Sequence, residues 1–152
     1  MRKQLAILFF AIALALGAQT GSSQARDGVY RSVAIDTSRL AARGYRHLAA
    51  ALKPMLAEEL AKAFGPRLGH RGGRLLVRIT SIRIPPTSGD SDADSAGSDR
   101  LQAVIIAPGR APIPVLIQLP PSFAGAWYAE NNDERRVYRL IEALAEWTAR
   151  KV

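Results

Sequence analysis

The sequence predicts an α+β fold: a mainly antiparallel sheet of about four strands in the order β-α-β-β-β-α, with two helices packed on one face. Three observations predict it. A helix-period apolar stripe runs through Leu48, Leu52, Met55, Leu56, Leu60 and Phe64. Four short runs rich in Val, Ile and Leu are separated by Gly, Pro and Ser punctuation. A second helical stripe, Val137, Leu140, Ile141, Leu144 and Trp147, lies near the carboxyl end.

Residues 1–25 read as a secretory signal peptide. Arg2 and Lys3 form a positive start, Leu5–Leu16 an apolar run too short for a membrane span, and Ser23-Gln24-Ala25 a small-x-small cleavage site. Residues 26–152 are then expected to form a single α+β domain with a mobile acidic loop at 86–100. No later segment is apolar enough to span a membrane, so the mature form is expected to be periplasmic or secreted. The chain contains no cysteine. That excludes disulfides and a lipidated cysteine, and leaves a hydrophobic core as the source of stability. The preference for Ala and Arg over Ser and Lys fits a GC-rich bacterial source.

Val29–Ile35 is the first strand candidate, with Val29, Val33 and Ile35 on one face. Asp36-Thr37-Ser38 offers helix-starting side chains, and Gly44 interrupts the turn that follows. The long helix comes next. Pro54 within it predicts a kink or a nearby start, and Gly65-Pro66 stops it. Its apolar stripe needs a sheet to lie on, and Arg74–Ile84 supplies the nearest strand. There Leu75, Val77 and Ile79 share one face, but Ile82 and Ile84 fall out of phase. Either both faces are partly covered there, or a β-bulge near Thr80–Ser81 restores the alternation; the bulge is the favoured reading.

Thr87–Arg100 is polar, rich in Ser and Gly, and without a large apolar residue. Leu101–Ala107 and Ile113–Leu119 are two further strands joined through Pro108-Gly109. Pro112 and Pro114 place the last at an edge, while its unbroken Val115-Leu116-Ile117 predicts cover on both faces. A loop with three aromatics leads to the final helix. Asn131 and Glu134 suggest a capping box for it, with Glu142, Glu146, Arg139 and Arg150 facing out and Glu146–Arg150 paired.

Charge is the most informative functional signal. The chain carries 21 Lys+Arg against 13 Asp+Glu, and losing Arg2 and Lys3 with the leader leaves about +6. From Leu60 to Gly89 there is no acid, yet Lys62, Arg67, Arg71, Arg74, Arg78 and Arg83 are all present. Arg67, Arg71, Arg74 and Arg78 are therefore the candidate contacts for an envelope protein or for anionic lipid or polysaccharide. The alternative for such a stretch is a solvated basic face that aids solubility. Nucleic acid is not expected, because the chain is read as exported and no aromatic-interleaved basic motif is present.

A second candidate site is the loop carrying Phe123, Trp127 and Tyr128, which either lines a small-ligand pocket or pins the loop to the core. Asp90, Asp92 and Asp94 imitate the opening of a calcium loop. The pattern then fails at Ser95, where the turn glycine belongs, and at Leu101, where the bidentate Glu belongs. No metal or other cofactor is expected. Catalytic motifs are missing as well: no HExxH, no GxSxG and only two histidines, His47 and His70. A hydrolase remains conceivable only through carboxylates brought together in space, with Glu58/Glu59 and Glu142/Glu146 read as helix surface.

The element order behind a signal peptide, together with the LAEELAKAFG helix ending at Leu56–Gly65, resembles small bacterial periplasmic envelope domains. These are the TolB amino-terminal domain and the envelope-assembly lipoproteins. The resemblance covers Val29 to about Leu119 and implies an exported α+β binding module. The missing lipid-attachment cysteine departs from the lipoproteins, and no functional residue is carried over.

Overall fold

A computed structural model describes residues 30–86, 97–126 and 130–152. The expected leader, Val29, the carboxylates Asp90, Asp92 and Asp94, and the aromatics Trp127 and Tyr128 lie outside the described residues.

Four strands form one sheet, β1 (Tyr30–Asp36), β2 (Gly73–Arg83), β3 (Asp99–Ile106) and β4 (Ile113–Leu119), side by side in that order. The fold is α+β as the patterning predicts, but the sheet is mixed. β1 runs parallel to β2, while β2–β3 and β3–β4 are antiparallel. The cause is the connection after β1, which carries a short helix α1 (Ser38–Ala42) and the long helix α2 (Arg46–Phe64). A helical crossover carries the chain back to the end of the sheet where β1 began, so the next strand runs parallel to it. With α3 (Asn132–Lys151) the described residues hold three helices rather than two.

The core lies between one face of the sheet and the helices α2 and α3. Leu52, Leu56, Leu60 and Phe64 of α2 meet Leu75, Val77 and Ile79 of β2, Leu101, Ala103 and Ile105 of β3, and Leu140, Ile141 and Leu144 of α3. α2 runs unbroken through Pro54, which sits on its exposed side. Gly65 then ends the helix at a positive φ of 40°, a conformation that glycine adopts without steric strain. At the start of β2 a Cβ on Gly73 would lie 2.1 Å from Cγ of Pro108, so only glycine allows the β3–β4 turn to close over this strand.

The bulge falls where the phase slip places it. Ile79 pairs with Ala103 but Ser81 pairs with Gln102, leaving Thr80 as the extra residue. Its unpaired carbonyl accepts a hydrogen bond from Nη1 of Arg43 at 3.1 Å, and its hydroxyl donates to the Gln102 carbonyl at 3.1 Å. Beyond the bulge Ile82 pairs with the buried Leu101 and rejoins the core side.

Several local expectations are corrected. β4 is an edge strand, but only Val115 and Ile117 are buried. Leu116 between them is 54% exposed, because no described helix covers that face. β3 begins at Asp99 rather than Leu101, since Asp99 continues the inward alternation with Leu101, Ala103 and Ile105. Asn131 adopts a left-handed conformation with no side-chain cap, so the capping box does not form. Asp133 and Glu134 instead place negative charge at the positive end of α3. The ion pair on the outer face of α3 is Arg139–Glu142 at 2.7 Å, not Glu146–Arg150. Glu59 is buried rather than solvated. It accepts hydrogen bonds from Tyr138 of α3 and Lys62, each at 2.9 Å, tying α2 to α3. Lys62 first and Tyr138 second hold the Glu59 carboxyl below its ordinary pKa.

Candidate anion-binding face

The side of the sheet turned away from α2 and α3 is built by simple alternation. In β2 the even-numbered residues Arg74, Leu76 and Arg78 point away from the core. Arg83 is odd-numbered, and an unbroken strand would bury it. The extra residue at Thr80 reverses the phase, so Arg83 joins Arg74 and Arg78 on the open face.

The neighbouring strands extend the surface row by row. Ala34, Leu76 and Ile106 form one row, and Asp36, Arg78, Val104 and Pro114 the next. Beyond the bulge come Ser81, Gln102 and Leu116, then Arg83, Arg100 and Gln118. An apolar strip of Leu76, Ile106, Val104, Pro114 and Leu116 thus crosses the middle, with guanidinium groups toward both ends. Among the described residues of this face, Asp36 is the acid that opposes Arg74, Arg78, Arg83 and Arg100.

Asp36 is not available to a partner. Its Oδ1 accepts from the Ser38 backbone N–H at 3.0 Å and its Oδ2 from Nε of Arg78 at 2.7 Å. The hydrogen bonds from Ser38, and after them the Arg78 guanidinium, pull the carboxyl from 3.8 down to about 2. A carboxyl depressed in the folded state contributes stability above pH 3.8 and loses it as pH falls toward 2. With the side chain about a quarter exposed, that contribution is at most ~2 kcal/mol. The urea midpoint of wild type should therefore fall more steeply between pH 4 and pH 2 than that of Asp36→Asn. Parallel curves would show the pair to be energetically idle.

The four arginines singled out by sequence have different fates. Arg67 turns inward. Its guanidinium donates to the carbonyls of Ala149 and Val152 near the end of α3 and lies 5.3 Å from the Phe64 ring centre. Arg71 is exposed in the loop before β2, Arg74 is exposed on the open face, and Arg78 holds Asp36. Arg100 escaped the sequence reading because it was placed in the polar loop. Its signal was the alternation Arg100, Gln102, Val104 set against the inward Leu101, Ala103 and Ile105.

Phe123, in a 3₁₀ turn at Pro121–Ala124, is 63% exposed. It borders a cleft of about 370 Å³ with Leu119 of β4 and Arg139, Glu142, Ala143 and Glu146 of α3. A shallower hollow of about 270 Å³ lies on the open face between β3 and β4, lined by Thr80, Gln102, Val104, Pro114 and Leu116. His47 and His70 are both exposed and border neither. No group of three or more His, Asp or Glu side chains suited to holding a metal ion occurs among the described residues, and no described helix is long and apolar enough to cross a membrane. No protein-family model matches the chain, and no curated protein is significantly similar to it.

Proposed function

We propose that this protein is an exported, non-catalytic module of the bacterial cell envelope that binds an anionic surface or partner through its basic sheet face. One observation carries the reading: the bulge at Thr80 brings Arg83 into line with Arg74 and Arg78, and register adds Arg100 from the next strand. Arg83 and Arg100 stand directly opposite each other. Like charges so placed are unfavourable in isolation and are relieved by an anion bound between them. The leader-like residues 1–25 and the resemblance to periplasmic envelope domains support the address.

Retention on a polyanion resin such as heparin tests this reading. The triple variant Arg74→Ala/Arg83→Ala/Arg100→Ala should elute at clearly lower salt than wild type. The control Lys53→Ala/Arg150→Ala, which removes two exposed charges from the helices, should elute near wild type. Identical elution of the triple variant and wild type would refute the assignment.

A second reading, a small-ligand protein, has the cleft beside Phe123 in its favour. Its volume falls within the range of small-molecule sites. It predicts that Phe123→Ala abolishes binding of an envelope metabolite that the arginine variants still bind.

A further inference from the structure

We infer that the open sheet face docks on the surface of an anionic phospholipid bilayer, its apolar strip entering the interfacial layer while the arginines hold phosphates. This rests on the anion-binding reading above and names the partner. A soluble polyanion would use the arginines and leave the strip between them without a role. Yet Leu116 is 54% exposed at the centre of β4, with exposed Pro114 two residues before it.

The geometry matches a bilayer surface in three respects. First, apolar and cationic groups are arranged in successive rows. The Arg83–Arg100 row lies one row from Gln102–Leu116, roughly 7 Å along the strands. At the other end Arg74 stands one row beyond Leu76. The two arginine ends of β2 are therefore roughly 25 Å apart, enough to engage several headgroups at once. Second, the hollow beside Leu116, about 270 Å³, is open and shallow rather than enclosing. It suits contact with acyl or glycerol groups at a surface rather than extraction of a lipid. Third, arginine stems lie along apolar surface while their heads reach polar groups. That lets one face satisfy both layers of the interface.

Co-sedimentation with vesicles decides it, using the purified protein with vesicles of phosphatidylcholine alone or with one-third phosphatidylglycerol. Wild type should bind the mixed vesicles and not the neutral ones. The triple arginine variant should bind on the order of 100-fold more weakly, at about 1 kcal/mol per arginine near an anionic surface. Leu116→Gln and the smaller Leu116→Ser, both uncharged, should each weaken vesicle binding about three- to tenfold while leaving heparin elution unchanged. Because Leu116 is exposed, their urea midpoints should stay near wild type. Heparin retention without vesicle binding would overturn the bilayer assignment and leave the anion-binding reading standing. Vesicle binding indifferent to Leu116 would overturn the docking face. Failure on both heparin and vesicles would remove the anion-binding reading itself.

Discussion

Replacing Arg136 by alanine is expected to destabilise the protein by about 3–5 kcal/mol, the usual result of breaking a buried ion pair from one side. Arg136 is 1% exposed and Asp99 2%. The guanidinium grips the carboxylate with two hydrogen bonds, Nε donating to Oδ2 at 2.9 Å and Nη2 to Oδ1. Its remaining Nη1 donates to the exposed Asp133 at 3.1 Å. Removing the cation leaves the Asp99 carboxylate in the core, away from water and unpaired. Asp99→Asn should be nearly as harmful, because it leaves the guanidinium charge uncompensated. The double variant Asp99→Leu/Arg136→Met should recover most of the loss, since a packed apolar pair of similar size avoids the desolvation. Urea midpoints of the four proteins provide the check. If the double variant is no more stable than the singles, the pair is not an isolated electrostatic unit.

Phe64→Ala should cost about 3–5 kcal/mol, as expected for a large aromatic removed from a closed core. Phe64 is 1% exposed at the end of α2. Its ring meets Tyr30 of β1 edge-to-face, with centres 5.9 Å apart and planes at 83°, and Arg67 lies against it. Truncation thus removes a contact between the first strand and the long helix and loosens the arginine that holds the end of α3. Phe64→Leu keeps most of the buried apolar volume and should cost about 1–1.5 kcal/mol. Equal losses for the two substitutions would mean that ring geometry, not burial, dominates here.

The elements with strong local signals were legible in the sequence. The α2 stripe ending at Gly65-Pro66, the α3 stripe and all four strands follow from apolar spacing and turn residues, because burial on one face imposes its period directly on the chain. Even the bulge could be read, since Ile79 and Ile82 cannot share a face without one. What escaped depends on partners distant in sequence. β1 and β2 are parallel because of how a crossover returns, which no residue of either strand encodes alone. Arg136 lies four residues before Leu140 and eight before Leu144, on the buried stripe, but its charge masked that position until Asp99 appeared opposite. The exposure of Leu116 had the same cause. A continuous apolar run looks identical whether its second face meets a helix or solvent. The basic stretch was visible as composition, but only register separates Arg74 and Arg83, on the open face, from Arg67, folded against Phe64.

Residue-resolved amide chemical shifts during titration with a short heparin oligosaccharide test the central claim most directly. The account predicts the largest changes along the outward rows of β2, β3 and β4, at Arg74, Ser81, Arg83, Arg100 and Gln102, with α2 and α3 unmoved. Changes centred on the Phe123 cleft or on the helices, with those strands silent, would contradict it.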